Sequence, residues 1–320
     1  MERRSVLAAG VGLGASAFAV PAAVPAAPVP GLSADDVAAA RRLFAAGAYT
    51  RLDEVLPLLL AAAARSTAQG PAGAARAAGV WVLASQLAVK QGRTEHAGTY
   101  AERAGAAARR SGDPVVLAAA ARAAATPLRR TDRTDEALHL LEEARAHLTA
   151  ASRPTAAGLE AAGMTALTAA YTAAQAHCPA TAYEFAAQAE EITHHLARRP
   201  DAAGPRRELT AAQCALYRIG IHRHLGDLDT ALAHARRLRP AQLPTAERRA
   251  RAATDTARAL LDADDAAAAF AQLRLVELAA PHEARRPSVQ ALTARIAEQR
   301  PALAGFAAYT RRTTARPSSR

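Results

Sequence analysis

The stretch PLRRTDRTDEALHLLEEA (127–144) decides how the rest of the chain is read. A first segment ends at Asp132, and five residues later Ala137 opens an apolar series that continues at Leu141 and Ala144. Steps of four and three keep one face of a helix apolar. A residue able to turn left-handed suits the break, because it lets the last carbonyls of a helix find donors. The small residue five positions on lets a second helix pack closely against the first. The stretch therefore reads as a helical hairpin.

The same pattern returns along the chain. LFAAGAYTRLDEVL (43–56) carries Gly47, Tyr49 and Leu52, and LAVKQGRTEHAGTYAERA (87–104) carries Gly92 and Ala97. TAAQAHCPATAYEFAAQA (172–189) supplies His177 and Ala182, and HRHLGDLDTALAHARRL (222–238) supplies Gly226 and Ala231. LLDADDAAAAFAQLRLV (260–276) closes the series with Asp264 and Ala269. Successive breaks lie 45, 40, 45, 49 and 38 residues apart, so the unit varies in length. Composition agrees: alanine is abundant, aromatics are 4%, and period-two alternation is hard to find. Alanine loses almost no side-chain entropy in a helix. The fold class is all-α.

Helix boundaries are written locally. Asp113-Pro114 is an N-cap followed by proline at the first helical position, and Ser33 with Asp36 approximates a capping box. Thr245 caps the helix that follows it. The loop RRPDAAGPRR (198–207) is the best internal hinge, yet hairpins continue across it. The expectation is an apolar leader or linker (1–32), one superhelical solenoid of about six helical hairpins (33–305), and a C-terminal tail (306–320) disordered at its end.

The spacing of glycine, aromatic and small residues resembles tetratricopeptide repeats, with the period of about 34 residues stretched. A narrower resemblance rests on long phrases in consistent order, among them LFAAGAYTRL, VWVLASQLAVKQG, SGDPVVLAAAARAAATPLRR, CALYRIGIHRHLGD and RPAQLPTAERRARAATDTARALL. These are similar to the C-terminal portion of helix-turn-helix regulators of the phage-repressor-like class from high-GC Gram-positive bacteria. The resemblance implies repeats that sense a ligand or peptide. Only 32 residues precede the first repeat helix, too few for the usual DNA-binding domain, so direct DNA binding is not expected of this chain.

The formal charge is +11, carried almost wholly by arginine, with Lys90 the single lysine. No run of cations interleaved with aromatics gives it the look of a nucleic-acid surface. Chemistry is hard to find. Glu136–His139 and Glu191–His194 have the Glu-x-x-His spacing of di-iron bundles, but such sites need two further glutamates facing inward. His222 and His224 point about 200° apart on a helix. His177-Cys178 has no third partner at diagnostic spacing, and there is no G-x-S-x-G, H-E-x-x-H, P-loop or dinucleotide fingerprint. Cys178 and Cys214 read as two small buried thiols. No enzyme, metal or cofactor is expected.

A stack of hairpins makes a concave groove lined by the first helix of each pair. Aligning the breaks to the tetratricopeptide pattern places Gln86, Lys90, Arg122, Thr126, Arg129, Tyr171, Gln175, Gln213, Tyr217 and Arg223 in that groove. Cations, amides and two tyrosines suit a peptide carboxylate, a partner protein or a small acidic ligand. Trp81 is expected in the core.

The start of the chain carries a second signal. Arg3 and Arg4 precede Val6-Leu7 and a weakly apolar run to Val20, the parts of a twin-arginine export signal. Pro21, Pro25, Pro28 and Pro30 end it short of a stable membrane-spanning helix. The sequence leaves a cytoplasmic regulator-like protein and an exported or envelope-associated scaffold in even contest.

Overall fold

The computed structural model describes residues 31–150, 155–199 and 207–314. Arg3, Arg4 and the centre of the 198–207 loop lie outside the described residues. Among the described residues there are fifteen α-helices and no strand. Twelve of the helices form six consecutive pairs: α1 (Ala34–Ala45) with α2 (Tyr49–Ser66), α3 (Gly70–Lys90) with α4 (Thr94–Ser111), and α5 (Pro114–Arg130) with α6 (Thr134–Thr149). There follow α7 (Ala156–Gln175) with α8 (Pro179–Ala197), α9 (Ala211–His224) with α10 (Leu228–Arg237), and α11 (Ala246–Asp262) with α12 (Ala266–Ala279). The chain ends in α13 (Pro281–Ala284), α14 (Pro287–Gln299) and α15 (Phe306–Thr314).

Each pair is closed by the break read from the sequence. Gly47, Gly92, Asp132, His177, Gly226 and Asp264 all take positive φ, between 56° and 82°. In each, the next residue's N–H donates to the carbonyl five positions back, as in Ala48 to Leu43 and Cys178 to Ala173, both at 2.9 Å. That bond satisfies a carbonyl the helix end leaves orphaned. The residues five positions beyond the breaks (Leu52, Ala97, Ala137, Ala182, Ala231 and Ala269) are completely buried. A left-handed backbone costs an L-residue roughly 1–2 kcal/mol, part of which glycine loses again to its freer unfolded state. His177→Gly, at an exposed side chain with no described contact, is therefore expected to stabilise the protein by about 0.5–1 kcal/mol. Denaturant unfolding measures it.

The first helices of the pairs pack one on the next, α1 on α3, α3 on α5, and so on to α11, and each second helix packs on the following first helix. The caps are as read: Asp113 accepts from Val115 N–H at 2.8 Å, Thr245 from Arg248 N–H at 3.1 Å, and Ser33 and Asp36 form a reciprocal capping box. Trp81 is buried against Tyr100. By length and apolarity α3 would suffice to cross a membrane, but most of it is buried inside the fold. Cys214 is buried beside Thr193, whereas Cys178 is exposed, because it sits in the turn just after the left-handed residue His177. The stretch after 305 is not all tail: α15 lays Phe306 and Tyr309 against Phe270 of α12.

The end of the row returns to its beginning. A side chain added at Gly47 would meet Ala280 Cβ at 2.8 Å, and Gly92 faces the Pro287 ring. Thr50 Oγ1 lies 3.2 Å from His282 Nδ1, and Tyr49 donates its hydroxyl to Glu283. Lys90, at the C-terminus of α3, sits between Glu247 of α11 at 2.5 Å and Glu283 of α13 at 2.6 Å.

Candidate functional site

Because first helix packs on first helix and the ends meet, α1, α3, α5, α7, α9 and α11 surround a central cavity of about 400 Å³. Gln86, Lys90, Arg122, Thr126, Arg129, Tyr171, Gln175, Tyr217 and Arg223 all line it. Gln213 does not. It is fully buried, with neither amide atom partnered among the described residues. The sequence places it one turn before Tyr217, but α9 is packed on nearly every side, so that turn faces neighbouring helices and not open space.

Nine cations line the cavity: Lys90 and the arginines at 122, 129, 130, 223, 248, 251, 258 and 286. Among the described residues, the carboxylates that pair with them are Glu208, Glu247, Asp255, Asp262 and Glu283. Five anions against nine cations leave a net excess of four positive charges, and among the described residues Arg129 and the exposed Arg130 alone have no carboxylate partner. Of these two, Arg129 is the more buried one. It donates to Thr172 Oγ1 at 2.8 Å and to Thr126 Oγ1 at 3.1 Å, lies 5.4 Å from the Tyr171 ring centre, and has no carboxylate partner among the described residues. Burial pulls it down to about 10, still charged at neutral pH. The Nε–H groups of Arg122, Arg129 and Arg286 are buried without an acceptor among the described residues.

Two tyrosines form the middle of the wall. Tyr171 and Tyr217 meet edge to face with centres 6.2 Å apart, and Arg251 lies 4.5 Å from the Tyr217 ring centre and 5.8 Å from that of Tyr171. Tyr171 keeps its place because residue 220 is glycine; a Cβ there would strike its ring. Its hydroxyl meets His224 Nε2 at 3.0 Å. Burial, with Arg223 beside it, pushes His224 down to about 4, so the imidazole is neutral. Tyr217 reports the field most clearly. Burial alone raises a phenol, but Arg251, Arg248 and Arg122 overcome it and bring Tyr217 down to about 7.

The α11 wall was missed in the sequence. Its signal was present: Glu247, Arg248, Arg251, Asp255 and Arg258 follow one another at steps of one, three, four and three, a charged stripe on one helix face. The other motifs stay outside the cavity. Glu136, His139, Glu191 and His194 are exposed, with Glu136 paired to Arg133. His222 faces Asp227 and stacks on His234, away from His224.

No protein-family model matches the chain, and no curated protein matches it. The cavity has to be read from its own chemistry.

Proposed function

We propose that this chain is a non-enzymatic regulatory or adaptor protein, built as a tetratricopeptide-like solenoid, that captures an acidic ligand in its central cavity. It is related to helix-turn-helix regulators without acting on DNA itself. The observation that carries this reading is the uncompensated charge of the cavity. Cations that outnumber and share their carboxylates in a largely buried cavity repel one another at a cost in free energy, and an anion would turn that cost into affinity. Guanidinium groups with unused N–H donors suit carboxylate and phosphate oxygens, which take two parallel bonds. Up to four excess charges in about 400 Å³, fewer once Tyr217 ionises, favour a compact ligand carrying at least two negative charges, or the carboxylate-bearing end of a peptide.

The test is calorimetric titration with pyrophosphate, citrate and a short acidic peptide, at fixed ionic strength. At least one is expected to bind, and Arg122→Ala with Arg129→Ala to weaken it by about 100-fold or more, since hydrogen bonds to charged groups contribute about 1.5–3 kcal/mol each. Binding that survives the double substitution in a folded protein would remove the cavity from the account.

A further inference from the structure

The other face of α5 borders a second space. Inward, α5 gives Arg122, Thr126 and Arg129 to the central cavity. Outward, its Leu117, Ala121, Ala124 and Leu128 floor a groove of about 640 Å³ whose walls are α4 and α6. The α4 wall is made of Gly98, Ala101 and Gly105, and the α6 wall of Leu140 and Ala144.

The two glycines have no evident role in the fold. Both lie inside α4 without positive φ. A Cβ at Gly98 would meet nothing within 4 Å, and one at Gly105 only the tip of Arg109 at 3.5 Å. Glycine is the least favourable helix-interior residue after proline, and seven residues apart the two share one face. A small-residue face alone would say little, but here it borders an apolar trough with a charged rim. Glu95 and Glu102 stand on the α4 side, Glu136 and Glu143 on the α6 side. Glu95 and Glu102 have no ion-pair partner among the described residues; Glu136 pairs with Arg133, and Glu143 lies 4.0 Å from His147. Against Arg109 and Arg133, which also line the groove, the four glutamates leave a net charge of −2, a local reversal of sign on a chain of net charge +11.

We propose that this groove docks an amphipathic helix of a partner protein, with a small or leucine-rich apolar face and basic flanks. From Glu95 to Arg109 the α4 wall runs about 21 Å, room for roughly four turns. Glycines let the incoming backbone approach closely, the leucines of α5 and α6 meet its apolar face, and the rim glutamates meet its Lys and Arg. The site is separate from the central cavity and does not depend on what fills it.

The experiment uses two fluorescein-labelled sixteen-residue helical peptides with the same alanine-leucine face, one flanked by Lys and Arg, the other by Glu. Fluorescence anisotropy is expected to show the basic peptide binding the full-length protein and the acidic one at least tenfold weaker. Glu95→Lys with Glu102→Lys should reverse that order. Gly98→Leu should abolish binding, while Gly98→Ala should raise the melting temperature by about 2 °C and still weaken the peptide. Equal binding of both peptides, or binding untouched by Gly98→Leu, would overturn the proposal. So would a lower melting temperature for Gly98→Ala, which would give the glycine a structural role. A self-association that Gly98→Leu abolishes would assign the groove to a second copy of the chain instead.

Discussion

Lys90→Ala is expected to lower the unfolding free energy by about 3–5 kcal/mol, the usual effect of removing one partner from a buried ion pair. The reason is the pair of carboxylates it would strand. Lys90 is 9% exposed, Glu247 5% and Glu283 0%, so none can be rescued by water. Arg248 at 3.3 Å from Glu247 and Arg286 at 2.6 Å from Glu283 keep some of the charge compensated. They do not replace the bridge, because among the described ion pairs Lys90 alone joins α11 to α13 and both to α3. Denaturant unfolding measures the loss, and a change under 1 kcal/mol would show that the cluster is solvated or rearranged. Acid should expose the same chemistry. Burial alone would raise Glu247, but Lys90 and Arg248 hold it well below the usual carboxylate range, and Lys90 and Arg286 hold Glu283 low in the same way. A carboxyl with a depressed folded pKa stabilises fully above its unfolded value, about 4.3, and loses that contribution as pH falls further. Wild-type stability should therefore drop steeply below about pH 4, and Lys90→Ala should flatten that part of the curve.

The second large effect concerns Tyr217. One of the six tyrosines is expected to titrate near pH 7, seen as tyrosinate absorbance near 295 nm, and Tyr217→Phe should remove that step alone. The ordinary phenol value is about 10, so the shift is about three pH units. Its cause is the positive charge of Arg251, which reaches the hydroxyl at 3.3 Å, and of Arg248 and Arg122 nearby, with His224 neutral and adding no charge. An anion in the cavity would compete with the phenolate for those guanidinium groups. Ligand affinity should fall as pH rises through 7, by up to about tenfold per unit, with a proton taken up on binding. Tyr217→Phe should flatten that dependence. A tyrosine set that titrates only near 10 would show that the arginines do not act on Tyr217 as the geometry implies.

Much of this fold is legible because its decisive signals are local. Whether Asp132 or His177 must turn left-handed depends on the helix just before it, and whether Ala137 must be small depends on the helix just after. Asp113 and Thr245 cap within three residues of themselves. Nine cavity residues follow from the same register, since first helices repeat their inward face. What escapes is long-range. Lys90 meets Glu283 across 193 residues, and no local pattern announces that the last helices come back to the first. Without that return, Lys90 reads as a groove cation when it is also the bolt between the two ends. The arginines of α11 belong to the cavity for the same reason. Gln213 fails because helical register fixes direction around α9 but not what stands there.

In an open row of helix pairs, each touching only its neighbours, the outermost pairs have one neighbour each and unfold first. Here Thr50 with His282, Tyr49 with Glu283, and Lys90 with Glu247 give the first pairs a second set of neighbours. Among the described helix pairs, the first is held at both sides and not at one. Amide hydrogens in α2 should exchange as slowly as those in α7, and melting should be a single event, not a wave from the ends. Cutting the clasp at Lys90 would give the protein back its ends, and the order of exchange along the chain would reveal where they are.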